Sequence, residues 1–156
     1  MLMRNDAFVG MVKLCGYSVL MLAGIPPEEA KQYQFRAIVL KDKRLEPDIE
    51  AIPVLEGADK KLFLEFQGYK DIFIRYRAIG NALISCVHEG FKGKARIVIF
   101  YTDQSFKDAA RPVSAFSDII ETEFSEYITE IVLNEYTLSQ LLEVDPKLVI
   151  LAPFTV

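Results

Sequence analysis

Glu65 and Gln67 stand two residues apart in the run KKLFLEFQ, where Leu and Phe alternate around them. Side chains alternate along a strand, so Phe63, Glu65 and Gln67 share one face and Leu62, Leu64 and Phe66 share the other. An ionised carboxylate in that apolar setting is costly unless a cation pairs with it or a metal coordinates it. A second acid-bearing run precedes it. Asp48 and Glu50 open residues 48–55, and the turn formers Gly57 and Asp59 join the two runs. A hairpin there brings Asp48 toward Glu65 at one end of a sheet. Convergent carboxylates suit a hard cation such as Mg2+ or Mn2+. An ion so held polarises a phosphate and acidifies a bound water, which is the chemistry of phosphodiester hydrolysis. Gln67 would orient that water. Glu50 shares a strand face with Asp48 and is either an auxiliary ligand or a solvent-side charge.

The elements that must hold these residues follow from the apolar periodicity. Residues 6–23 read as a first helix that ends at Gly24 with Pro26 and Pro27, although Gly10 and Gly16 weaken it. Strands are expected over residues 34–40, 48–55, 61–67, 95–101 and 127–133, the last with its alternation interrupted by Glu130. Pro53 demands an edge position, a bulge or an early end to its strand. A helix over residues 71–88, capped by Asp71, turns Ile72, Tyr76, Ile79, Leu83, Ile84 and Val87 inward. The run ARIVIFY over residues 95–101 is apolar on both sides, as a central strand must be. Short helices are expected over residues 104–109 and 137–142, and a final strand or packed extended tail over residues 148–151. The order predicts an α/β (or α+β) fold, a mixed sheet flanked by helices, in a single domain over residues 1–156. Its core lies in residues 6–101, with a less regular extension over residues 102–156.

Composition narrows the classes. With 51% hydrophobic and 26% charged residues in 156, the chain has the makings of a packed core and is not a disordered one. Its formal charge of −4 argues against coating nucleic acid by bulk electrostatics. The charge is uneven, however: residues 31–96 hold 13 Lys or Arg against 9 Asp or Glu, whereas residues 97–156 hold 3 against 10. The basic stretch surrounds the candidate acids, compatible with a local polyanion groove and equally with a solvated surface. The acids Asp118, Glu121, Glu123, Glu126 and Glu130 read as a solvated face. Cys15 and Cys86 lack metal-ligand spacing and read as buried thiols of a reducing compartment. Neither GxGxxG nor GxxxxGK[ST] occurs, so no nucleotide cofactor is expected, and no GxSxG elbow is present. The N-terminal apolar stretch is broken by Asp6, Lys13 and three glycines, so no membrane segment is expected and the protein is read as cytoplasmic.

Pro47 followed by Asp48, and Glu65-Phe66-Gln67 on the next strand, resemble the two signature elements of the PD-(D/E)XK nuclease superfamily. Within it the stretch over residues 69–76 is similar to that of a transposase-like, recombination-promoting nuclease group, and the likeness covers roughly residues 6–101. The resemblance implies a restriction-endonuclease-like αβββαβ core, Mg2+-dependent cleavage of DNA, and metal ligation by Asp48 and Glu65 with the carbonyl of Phe66. Gln67 stands where lysine is usual. It can hydrogen-bond a water but brings no positive charge to the attacking hydroxide. Lys70 supplies that charge if the helix start folds toward the sheet end; otherwise it is an exposed turn lysine. Arg75 and Arg77 are candidate phosphate contacts near a helix N-terminus. Two residues apart, they do not share a helical face, and Arg75 is the preferred one. The competing role for both is to pair with nearby acids. His88 reads as a polar helix-end residue. Cutting two antiparallel strands would make a homodimer convenient. The alternative function is a catalytically silent nuclease-fold protein that acts as an interaction or assembly module.

Overall fold

Apolar side chains on both sides of two adjacent strands require a sheet covered twice, and that is the architecture observed. The computed structural model describes residues 5–39, 51–57, 59–115 and 124–156. Helices α1 (Asn5–Cys15), α2 (Ser18–Leu22) and α3 (Pro27–Ala30) lead into strands β1 (Gln34–Val39), β2 (Ala51–Glu56) and β3 (Lys60–Gln67). Helix α4 (Ile74–Glu89) crosses to β4 (Lys94–Tyr101), and α5 (Gln104–Ala109) precedes β5 (Ile128–Val132). Helix α6 (Leu138–Val144) and 3-10 turns over Pro146–Phe154 complete the described chain. The five strands form one mixed sheet in the order β1-β2-β3-β4-β5. The first three are antiparallel neighbours, and β3, β4 and β5 run parallel.

Alternation along β3 and β4 divides the core in two. Leu62, Leu64, Phe66, Val98 and Phe100 pack with Phe8, Val12 and Cys15 of α1 on one face. Phe63, Ile97, Ile99 and Tyr101 pack with Ile74, Ala78 and Ala82 of α4 on the other. Leu20, Leu64 and Ile99 are at most 1% exposed, and each such side chain contributes roughly 1.5–3 kcal/mol by burial. The C-terminal residues join the first core: Leu141, Leu148 and Leu151 are buried in the cluster that holds Phe8.

Several boundaries differ from the sequence expectations, each for a local reason. The expected helix over residues 6–23 is two helices, because Gly16 takes the left-handed conformation (φ +57°) that side chains disfavour. The helix expected from residue 71 begins at Ile74, since Asp71 accepts the Phe73 amide at 2.9 Å and makes a local turn instead of a cap. Residues 148–151 are not a strand. Their unbroken apolar run belongs to 3-10 turns started by Pro146 and by Asp145, which accepts the Lys147 amide at 2.8 Å. Pro53 lies in an internal strand, opposite Ala37 of β1, and the early end it demands falls on the β3 side. There the ladder covers only Val54 to Glu56, because proline has no N–H with which to extend it. Residues 64–67 of β3 are thus paired with β4 but with no β2 residue among the described ones.

Candidate functional site

The C-terminal ends of the parallel strands gather the candidate residues. Glu65 and Gln67 lie on the α4 side of β3, in register with Ile99 and Tyr101 of β4. Glu65 is half-buried, while Gln67 is 2% exposed. Gln67 donates through Nε2 to the Tyr69 carbonyl, which fixes its amide at the strand end. The Thr102 amide donates to the Gln67 carbonyl at 3.1 Å and ties β4 to the same point. The Phe66 side chain faces the opposite way, its ring 4.6 Å from Phe8 and 5.4 Å from Phe154. It anchors the strand that carries Glu65 and Gln67, so a ligand role falls to its carbonyl alone. Asp48 and Glu50 lie outside the described residues.

Arg75 occupies this end of α4 in a different way from a phosphate contact. Its Nε donates to Glu130 Oε2 at 2.9 Å, its Nη2 to Glu130 Oε1 at 2.8 Å, and its Nη1 to the Ala110 carbonyl at 2.8 Å. Tyr101 Oη donates to the same carboxylate. The two charged side chains are only 13% and 17% exposed, so this is a bidentate ion pair inside the fold. Burial works against the Arg75 charge, but the hydrogen bonds and charge of Glu130 outweigh it and raise its pKa above the ordinary value. Burial and the Glu130 carboxylate both push the Tyr101 hydroxyl upward, so it stays protonated and donates. The expectation that Glu130 belongs to a solvated acidic face is corrected. It occupies the core-facing row of β5 beside Ile99, and Arg75 and Tyr101 satisfy it. Its break in the alternation of YITEIVL was the signal for a partnered acid. Glu126 is exposed as expected, and Asp118, Glu121 and Glu123 lie outside the described residues.

Arg77 points elsewhere, as its spacing from Arg75 requires. It pairs with Asp71 and bonds Tyr69, with its side chain 53% exposed. Lys70 is exposed in the connection between β3 and α4. His88 sits in the last turn of α4, exposed, as a polar helix-end residue.

The other end of α4 carries a second charged cluster on the same sheet face. Arg36 donates to Glu56 at 3.0 Å and to Glu89 at 2.6 Å. Lys61, 7% exposed, pairs with Glu89 and with Glu56 at 3.4 Å, and lies 4.6 Å from the centre of the Phe91 ring. An open depression of about 480 Å³ lies here, lined by Lys61, Glu89, Phe91 and Lys92 among others. Its charges are compensated among themselves, and it is at the opposite end of β3 from Glu65. Chemistry is therefore better sought at the strand ends than in this depression.

A hard cation needs several oxygen donors. Of the expected set, the described residues supply the Glu65 carboxylate and the Phe66 carbonyl. Glu130 lies two strands away from Glu65, roughly 9–10 Å by strand spacing, and is already committed to Arg75. Among the described residues no cluster of three or more His, Cys, Asp or Glu could hold a metal ion. Among the described residues, no helix is long and apolar enough to cross a membrane.

The chain belongs to a family described as Protein of unknown function (DUF2887), which matches residues 8–152. No curated protein matches it, and neither does any solved structure.

Proposed function

We propose that the protein is a cytoplasmic, metal-dependent DNA endonuclease of the PD-(D/E)XK kind, with a restriction-endonuclease-like core. The observation that carries this reading is the pair Glu65 and Gln67, side by side on one face at the end of β3, where pairing to β2 has stopped. That placement puts a carboxylate and an amide at the C-terminal ends of parallel strands, where open sheets bind ligands. Asp48 and Glu65 would hold Mg2+ or Mn2+, Glu50 would assist, and the Phe66 carbonyl would complete the protein's share. The ion would supply a polarised phosphate and an acidified water. Gln67, held through the Tyr69 carbonyl, would orient that water, and Lys70 would bring the positive charge that glutamine lacks. Phosphate contact falls to Lys70 and the exposed Arg77, and Arg75 acts as a positioning residue that fixes the start of α4 against β5.

The test is cleavage of supercoiled and linear DNA with Mg2+ or Mn2+, beside chelator, Asp48→Ala and Glu65→Ala controls. Metal-dependent cutting lost in both folded variants is the expected result. Cutting that survives both variants would remove the assignment. A second reading, a catalytically silent interaction module, is favoured by Leu83, Ile84 and Val87 of α4, which do not turn inward as their spacing predicts but are 56%, 47% and 78% exposed, the buried row being Ile74, Ala78, Ala82 and Ser85. Absence of cutting on every DNA form, together with absence of metal binding, would transfer the assignment to that reading.

A further inference from the structure

Immediately beyond Gln67 the chain presents aromatic rings to solvent. Tyr69 is 50% exposed and Phe73 47% exposed, in a connection where polar turn formers are the usual choice. The Phe73 ring meets Tyr76 edge-on, with centroids 5.9 Å apart, and the Arg111 guanidinium lies over Phe73 at 5.6 Å from its centre. Arg77 bonds both Tyr69 and Asp71, and Asp71 accepts the Phe73 amide. These contacts make one continuous shelf. It carries the cations Arg77, paired with Asp71, and Arg111, and the exposed Lys70 stands between Tyr69 and Asp71 in the same connection. The shelf begins at the residue whose carbonyl holds Gln67 in place.

Exposed rings held in position among cations have a specific use. Each unpaired base offers a face for stacking, and the adjoining phosphates follow the positive charge. A continuous duplex conceals its base faces and would leave the rings without a partner. An apolar protein surface would cover the rings but would take the cations Arg111 and Lys70 out of water with no phosphate to meet them. We infer that this shelf stacks the unpaired bases of single-stranded DNA, so that the substrate of the adjacent centre is DNA with a single-stranded segment, not continuous duplex. The assignment of a substrate rests on the nuclease reading of Glu65, whereas stacking itself needs no metal.

The experiment is fluorescence anisotropy of the full chain in chelator, with a labelled oligothymidine of about 16 nucleotides and a duplex of the same length. The single strand is expected to bind more tightly than the duplex. Tyr69→Ala and Phe73→Ala should each weaken it by about tenfold, with duplex affinity unchanged. Phe73→Trp should retain binding and Phe73→Leu should not. Both side chains are half exposed, and circular dichroism would confirm that each variant keeps its fold. Preference for duplex, no strand binding, unchanged affinity in both alanine variants, or full retention by Phe73→Leu would each overturn the inference. Strand binding without metal-dependent cutting would leave the shelf standing and remove the nuclease reading. Metal-dependent cutting of continuous duplex as fast as of DNA with a single-stranded segment, undiminished in both alanine variants, would keep the nuclease reading and overturn the substrate assignment.

Discussion

The two ends of α4 both bring charged side chains to the same face of the sheet, but they resolve those charges differently. At the C-terminal end, Arg36, Lys61, Glu56 and Glu89 balance one another in a partly exposed network. At the N-terminal end, Arg75, Glu130 and Tyr101 close a buried network, and Glu65 and Gln67 stand beyond it where the β2 ladder has ended. Compensation on the first end gives a tether between strands and helix. The second end is fixed just as firmly by Arg75, and that rigidity leaves Glu65 and Gln67 on a strand pinned by Phe66. The candidate residues Glu65 and Gln67 thus stand at the strand end that Arg75 fixes, at the opposite end of β3 from the Arg36–Glu89 cluster.

This difference can be broken from either side. The largest effect expected is on activity: Glu65→Ala should reduce metal-dependent DNA cleavage to the chelator background, whereas Glu89→Gln at the other end should leave it unchanged. Next is Arg75→Met, which strands the buried Glu130 carboxylate and should cost about 3–5 kcal/mol in urea unfolding. The double variant Arg75→Met with Glu130→Met should recover most of that loss, since apolar replacement of a whole buried pair is often near neutral. Gly93→Ala comes third. A Cβ there would lie 2.1 Å from the Asp59 carbonyl, which accepts the Lys94 amide, and the overpacking should cost about 1–3 kcal/mol. Arg36→Ala should cost less than about 1 kcal/mol, because its side chain is 44% exposed and its pairs are screened by water.

The smallest effect is on pH dependence. Hydrogen bonding to Arg36, then to Lys61, holds the Glu89 carboxyl below its ordinary value of 4.5 despite partial burial. The folded protein therefore takes up that proton less readily than the unfolded chain. The resulting stability is fully present above pH 4.5 and is lost as pH falls through the lower folded value. Glu89→Gln should flatten the acid limb of the stability curve, as followed by thermal unfolding between about pH 3 and 7.

Strand alternation made the sheet legible, since Leu62, Leu64 and Phe66 could only oppose Phe63, Glu65 and Gln67. The apolar run of β4 likewise required a covered central strand. What escaped were the long-range partners. Arg75 and Glu130 are 55 residues apart, and nothing local in either segment names the other. Glu130 did carry a trace, an acid on an apolar row, and such a residue implies a buried cation somewhere in the chain. Helix starts were misplaced where a side chain competed for the backbone, as Asp71 does at Phe73. The exposure of Tyr69 and Phe73 was also hidden, because their spacing is equally compatible with a buried face.

The most direct measurement of the account is Mn2+ binding followed by electron paramagnetic resonance, in which bound ion loses the sharp signal of free Mn2+. Wild-type protein and Glu89→Gln are predicted to bind Mn2+ alike, and Asp48→Ala and Glu65→Ala to lose binding while keeping their fold. Undiminished binding in Glu65→Ala, or binding abolished by Glu89→Gln alone, would contradict a metal centre at the C-terminal end of β3.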